Sequence, residues 1–229
     1  MAVIPAYNVA KSLGKLVLDL RKALPDVTVI VVDDGSTDGT SAVARRLPVH
    51  YLAHPQNQGK GAALQSGFAR ALHLNPDYIL TLDGDGQHDP LQAPQLVEAA
   101  RKSGLDLVVG SRAYHLGNMP FHRYVSNRLT SFLISVRTRT RIRDSQSGYR
   151  LIRADILRAV KLSLRHFDLE SELLIKASLA GYKIGETPVS TIYASSSSSA
   201  MRIIDVFRFV KLYWRTLFWK QPYRNNLET

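Results

Sequence analysis

One feature restricts the fold more than any other: short apolar runs and helical stretches alternate along the first 110 residues. The runs AVIP (2–5), VTVIVV (27–32), PVHYLA (48–53), DYILTL (77–82) and DLVVG (106–110) are short and rich in β-branched residues, as strands are. Between them lie KSLGKLVLDLRKAL (11–24), residues 36–46, KGAALQSGFARALHL (60–74) and residues 89–103. These show apolar positions at helical spacing or helix-start signals, such as Asp89 ahead of Pro90. VTVIVV carries almost no polar residue, the mark of a strand covered on both faces. The order therefore predicts an α/β chain with a mostly parallel central sheet and helices on both faces.

The second half is less regular. A helix is expected over 121–136, then a basic loop, RTRTRIR (137–143), and a strand within SGYRLI. A helix over 169–180 and strand material in YKIGETPVST follow. Residues 195–199 are five consecutive serines, a low-complexity loop. A last helix over about 201–219 places charges at 202, 205, 208, 211 and 215 in one stripe, with apolar residues elsewhere. The expected organisation is a catalytic domain over 1–194, then a loop and an amphipathic basic helix over 195–229. At 229 residues and 45% apolar content, the chain can bury a sizeable core.

Charge is spread unevenly. Residues 1–111 carry 10 Lys+Arg and 11 Asp+Glu, whereas residues 112–165 carry 12 and 2, a net of +10. Such a span points to an anionic partner: a nucleic acid, a phospholipid surface or a phosphorylated substrate. Cysteine is absent, which removes disulfides and thiolate metal sites. No run of about 18 apolar residues is free of charge, and no secretory signal is visible, so a cytoplasmic location is expected.

The strand ends hold the chemistry. Ligands of open parallel sheets bind at the carboxyl ends of the strands. Four such ends carry polar clusters: PAYN (5–8), DDGSTDG (33–39), NQGKG (57–61) and DGDGQ (83–87). Glycines let backbone approach a ligand closely, and carboxylates with an amide oxygen suit Mg²⁺ or Mn²⁺. An EF-hand loop from Asp83 fails at His88 and Pro94, and a Walker A loop fails at His54 and Gly61. No G-x-G-x-x-G opens a helix after a strand. Asp38 and Asp89 are expected to cap helices, and His54 and His73 to be structural or exposed.

Taken together, PAYN (5–8), VVDDGSTDGT (31–40), NQGKGAALQSGF (57–68), DGDGQHDP (83–90), GSR (110–112), DSQSGYRLI (144–152) and ELLIKASLAGYKIGETPV (172–189) resemble the family 2 glycosyltransferases. The similarity is to the branch of dolichyl-phosphate mannose synthase and other polyprenyl-phosphate glycosyltransferases. The resemblance implies a GT-A fold, Rossmann-like, with a nucleotide-diphosphate sugar as donor and Mg²⁺ or Mn²⁺ as cofactor. It reads Asp83-Gly84-Asp85 as a D-x-D signature, with Asp83, Asp85 and Gln87 at the metal. It places Pro5, Tyr7 and Asp34 around the nucleobase and ribose, and Lys60 at the donor. Where many relatives carry glutamate after PAYN, this chain has Val9.

For the acceptor, the resemblance implies a polyprenyl phosphate cradled by Arg112, Arg123 and Ser126, with Arg150 in a matching motif. A phosphate oxygen is already ionised near neutral pH, so no strong base is required. A hydroxyl acceptor would need one, and Glu170 and Glu172 are the candidates. Ser195–Ser199 with Arg202 are candidates for a lid over the donor. The last helix suits a membrane interface, or packing on the domain or on a membrane-embedded partner subunit. Nucleic acid is not an expected partner.

Overall fold

The computed structural model describes residues 1–112, 121–166, 168–190, 212–216 and 218–219, with the side chains of 121–123 left out. Its centre is a seven-stranded sheet of β1 (Ala2–Ala6), β2 (Val29–Asp33), β3 (His50–Ala53), β4 (Tyr78–Thr81), β5 (Leu107–Arg112), β6 (Arg150–Arg153) and β7 (Ile184–Val189), in the order β3-β2-β1-β4-β6-β5-β7. β1, β2, β3 and β4 run parallel, as do β5 and β7, whereas β6 is antiparallel to both its neighbours. The mostly parallel sheet is as expected. Its one reversed strand is not: β6 lies between β4 and β5, which the sequence order alone would leave adjacent.

β1 and β2 are buried along their whole length, the physical counterpart of their unbroken apolar sequence. One apolar cluster joins Val3, Ile30, Val32, Phe68, Ile152 and Leu173; the other joins Ile4, Leu13, Val17, Leu20, Val31, Leu80 and Leu96. Helix α1 (Ala10–Ala23) buries Leu13, Leu16, Val17 and Leu20, each worth about 1.5–3 kcal/mol relative to exposure. Its N-cap, Val9, has no side-chain oxygen to cap with. The Asp38 carboxylate accepts from Ala10 N at 3.1 Å instead. Helix α3 (Lys60–Leu72) lies close on β1, where a Cβ at Gly67 would come 2.3 Å from Val3 Cγ1.

Helix α2 is only Thr40–Ala44, shorter than the expected 36–46. The reason is competition by side chains for the backbone. Asp33 Oδ1 accepts from Ser36 N at 2.9 Å and Asp38 Oδ1 from Thr40 N at 2.8 Å, which holds 34–39 as a turn. A 3₁₀ turn, Pro90–Gln92, precedes α4 (Ala93–Ser103), and Asp89 caps it through Leu91 N at 3.0 Å. Helix α5 (Phe121–Thr138) and α7 (Asp168–Leu179) match their expected places, and α6 (Ala154–Ala159) is an addition. Of the expected last helix, 212–216 is described and is helical; Ser195–Ser199 and Arg202 lie outside the described residues. That short helix is tied to α5 by the Arg137 guanidinium, which donates to the Thr216 carbonyl at 2.7 Å. No helix among the described residues is long and apolar enough to cross a membrane.

Candidate active site

The carboxyl ends of β1, β2, β4 and β5 open onto one side of the sheet, and the polar clusters foreseen there are stitched together. Asn8, at a left-handed φ of 54°, accepts through its side-chain oxygen from Thr37 N at 2.9 Å, and its own N–H donates to Ser36 Oγ. The loops after β1 and β2 are thereby locked. Tyr7 stands beside them, 47% exposed, as a ligand-facing ring would be. Asp33 is buried; burial favours its neutral form, but bonds from Ser36, Ser41 and Tyr51 hold its carboxyl below the usual range.

Asp34 is turned inward. Its carboxylate accepts from Gln58 N at 3.0 Å and Gly59 N at 2.8 Å, and meets His54 Nδ1 at 2.6 Å. His54 Nε2 in turn meets Ser66 Oγ at 2.9 Å. Asp34 thus anchors the loop that delivers Lys60, and His54 is structural. The Asp34 carboxylate is taken up by the 57–59 loop and His54 rather than facing the nucleobase and ribose as expected.

The acidic centre lies at the end of β4. Lys60, the first residue of α3, sends its ammonium to Asp83 Oδ1 at 2.6 Å and to Glu170 Oε1 at 3.1 Å. Burial works against that charge, yet Asp83 and Glu170 hold the Lys60 pKa above its ordinary value. Burial likewise pushes Asp83 toward neutrality, and the facing Lys60 overrides it, holding the carboxyl low. Asp85 shows the opposite balance. Its side chain is exposed at the surface, yet burial of its surroundings together with the charge of Asp83 pushes its carboxyl up. Gly84 fits between them closely: a Cβ there would come 3.1 Å from both Pro5 O and Val9 Cγ2.

Gly148 completes this centre. Thr81 Oγ1 donates to its carbonyl at 2.8 Å, and a Cβ on Gly148 would fall 2.7 Å from both Asp83 oxygens and from Lys60 Nζ. Gly148→Ala is expected to displace the Asp83–Lys60 pair. Overpacking of this kind costs about 1–3 kcal/mol, and misplacing reacting groups by about 1 Å costs about a hundredfold in rate. Thermal melting and donor-binding calorimetry on the variant check this.

At the end of β5, Arg112 grips Asp144 in a two-pronged contact, Nε to Oδ2 at 2.7 Å and Nη2 to Oδ1 at 3.0 Å. Arg112 N donates to the same carboxylate at 3.0 Å. Arg112 is close enough that its charge acts on both Asp83 and Asp85. Arg150, 1% exposed, donates to the carbonyls of Ser145, Ser147 and Glu170 at 2.8, 2.8 and 2.7 Å. It is a framework group behind the site. Glu172 is buried too, holding Ser163 N, Ser163 Oγ, Leu164 N and Lys176 Nζ. Ser126 is half-buried on α5. Arg123 is on the same helix, but its side chain, like all of Arg202, lies outside the described residues.

Sequence reasoning missed Asp144, Gly148 and His88. His88 is buried, its ring 5.2 Å from that of Tyr149, and burial brings its pKa down to about 4. Its Nδ1 has no hydrogen-bond partner. Asp144 and Gly148 fall in the DSQSGYRLI motif, which did flag the region.

The residues suit a divalent cation. Among the described residues no three His, Asp or Glu side chains converge to hold an ion by themselves. Asp83 and Asp85, two residues apart at the end of β4, and the Gln87 amide next along the loop are hard oxygen donors of the kind that Mg²⁺ supplements with phosphate and water.

Comparisons with known proteins agree with this arrangement. A family model described as "Glycosyl transferase family 2" matches residues 1–161. The chain is 32% identical over 212 residues to an undecaprenyl-phosphate mannosyltransferase of Micrococcus luteus, covering 88% of this chain and 86% of that one. It is 32% identical over 240 residues to a UDP-N-acetylglucosamine–dolichyl-phosphate N-acetylglucosaminyltransferase of Methanococcus voltae, covering 95% and 94%. Among solved structures, glucosyl-3-phosphoglycerate synthase of Mycobacterium tuberculosis, crystallised with Mn²⁺ and UDP, superposes with a TM-score of 0.71 at 19% identity, covering 94% of this chain and 77% of that one. That likeness speaks for the GT-A fold. A doubly wound sheet with paired carboxylates at a strand end, together with these similarities, makes the chain a glycosyltransferase belonging to family 2.

Proposed function

We propose that the protein transfers a hexosyl group from a nucleotide-diphosphate sugar to a polyprenyl phosphate at the cytoplasmic face of a membrane. The observation that carries this reading is the juxtaposition at the strand ends. Paired carboxylates, Asp83 and Asp85, face Lys60 beside the Arg112–Asp144 pair, in a chain whose similar proteins carry polyprenyl-phosphate transferase names. Family-wide likeness, the Asp83–Asp85 pair and the Gln87 amide support Mg²⁺ or Mn²⁺ as cofactor. The ion, when bound, neutralises charge building on the departing nucleoside diphosphate.

The chain's own residues do the rest. Pro5 and the exposed Tyr7 form the wall for nucleobase and ribose, and Asp34 fixes the loop carrying Lys60 to the donor. Arg123 and Ser126 cradle the acceptor phosphate, guanidinium groups being suited to phosphate, beside the positive charge of Arg112, which Asp144 holds in place. The acceptor oxygen forms the new bond to the anomeric carbon while the bond to the nucleoside diphosphate breaks on the opposite face, inverting the centre. An ionised phosphate has no proton to lose. Glu172, fully engaged by Ser163, Leu164 and Lys176, accordingly acts as a scaffold. Ser195–Ser199 with Arg202 serve as a lid and the last helix as a membrane contact, and the net charge of +10 over 112–165 favours an anionic acceptor.

The test is direct. Purified protein is incubated with undecaprenyl or dolichyl phosphate, Mn²⁺ and labelled UDP- and GDP-sugars. Label should partition into organic solvent as a glycosyl lipid. Label appearing only on soluble saccharide hydroxyls would overturn the phosphate acceptor and turn attention to Glu170.

A further inference from the structure

Lys60 is an unusual neighbour for a carboxylate that is to hold a divalent ion. Its ammonium lies 2.6 Å from Asp83 Oδ1, on a side chain only 13% exposed. Glu170 Oε1 stands 3.1 Å away on the other side. Two anionic groups thus share one cation, which lies at the end of a flexible four-carbon stem. The pocket around them is tight, since even a methyl group on Gly148 would touch Asp83 and Lys60 together. An ion that takes Asp83 Oδ1 must displace the ammonium that already stands 2.6 Å from it.

We infer that Lys60 is a resident counter-ion of the acidic centre, exchanged for the divalent cation when donor binds. Before donor arrives, the ammonium occupies Asp83 and keeps the carboxylate ionised and in place. When the metal–diphosphate enters, Asp83 passes to the ion. Lys60, still tethered to Glu170, swings onto the diphosphate, whose negative charge replaces the one it has left. The inference rests on the metal-dependent reading above and adds a consequence to it. The ion alone must displace an ammonium and so binds weakly, whereas the ion with a nucleoside diphosphate finds that ammonium a new partner and binds well. Lys60 thereby couples the two ligands and makes the centre favour loaded donor over free metal, in the reciprocal sense that all such coupling has.

Two variants move the balance in opposite directions. Lys60→Met removes the competitor; Glu170→Gln removes the second anchor and leaves the ammonium to Asp83 alone. Mn²⁺ binding to each intact protein is measured by electron paramagnetic resonance, with Mn²⁺ alone and again with UDP or GDP. Lys60→Met is expected to bind Mn²⁺ alone about fivefold or more tightly than wild type, and to lose most of the nucleotide-induced gain in affinity, coupling of this kind being worth about 5–150-fold. Glu170→Gln is expected to bind Mn²⁺ alone about two- to threefold more weakly, by the same competition. A merely structural role for Lys60 would weaken binding in both variants. Unchanged or weaker Mn²⁺ binding in Lys60→Met, with wild type binding normally, overturns the exchange and leaves the glycosyltransferase reading standing. Wild type that binds no Mn²⁺ even with UDP or GDP overturns both. Should Lys60→Met fail to fold, unchanged or tighter Mn²⁺ binding in Glu170→Gln overturns the exchange by itself.

Discussion

Asp85→Asn is expected to reduce transfer by about a thousandfold or more while leaving the protein folded. Removing one electrostatic group aimed at developing charge costs about 10²–10³ in rate, and here the lost group also helps retain an ion. The substitution keeps the shape and the hydrogen bond by which Gln87 N reaches Oδ1 at 3.0 Å. Only the negative charge goes. Rates are measured with saturating Mn²⁺ and donor, beside wild type treated with excess chelator. Asp85→Asn that retains full activity, or wild type indifferent to chelator, would remove the metal from the mechanism.

The same variant has a stability signature with a definite sign. Burial and the charge of Asp83 raise the folded-state pKa of Asp85. A carboxyl whose pKa is raised on folding favours the folded state below its unfolded pKa, about 3.9, and loses that contribution as pH rises through the folded value. At neutral pH the ionised Asp85 is therefore a burden in the metal-free protein. Metal-free Asp85→Asn should melt at the wild-type temperature or up to about 2 °C above it at pH 7, and the advantage should shrink as pH falls toward 4. Added Mn²⁺ should reverse the order, because it stabilises only the form that binds it. A variant markedly less stable at pH 7 without metal would show that Asp85 holds the loop together rather than waiting for a ligand.

The sequence makes the strands and the acidic loop legible because both are local. Two-sided burial leaves an unbroken apolar run, as in residues 29–32, and a site at a strand end leaves carboxylates and glycines immediately after the run, as in residues 83–87. Partnerships across long separations leave no such trace. Lys60 is placed at the donor by its motif, but its partners Asp83 and Glu170 are brought to it only by β4 and α7. Asp34 reads as a ligand-facing carboxylate until the 57–59 loop folds onto it. The antiparallel insertion of β6 is of the same kind: the run RLI announces a strand, but strand order is decided by which edges remain unpaired once β4 and β5 are in place. Gly148 matters only because Asp83 and Lys60 arrive beside it.

Arg150 shows how much such a long-range partnership carries, and Arg150→Met is expected to give the largest loss of stability of any single change at the site. Its register neighbours are Thr81 on β4 and Val109 on β5, so its backbone lies where the reversed strand fills the sheet. From there the side chain reaches the carbonyls of three buried residues, Ser145, Ser147 and Glu170. Methionine would fill most of the volume and satisfy none of them. Swapping a buried charge for an apolar residue can be neutral when its partners are replaced as well; when they stay, the cost is about 3–5 kcal/mol. At about 2–4 °C per kcal/mol for a chain of this size, the melting temperature should fall by about 10 °C or more. Arg150→Lys should recover little, because one ammonium on a flexible stem cannot reproduce three donors held in a rigid fork. Activity measured well below the melting point should still be reduced, since Asp144 begins, and Glu170 receives the last bond from, the segment that Arg150 ties down, and these carboxylates in turn hold Arg112 and Lys60. A melting temperature within about 3 °C of wild type would mean that those carbonyls find other donors, and that the guanidinium is available to a ligand after all.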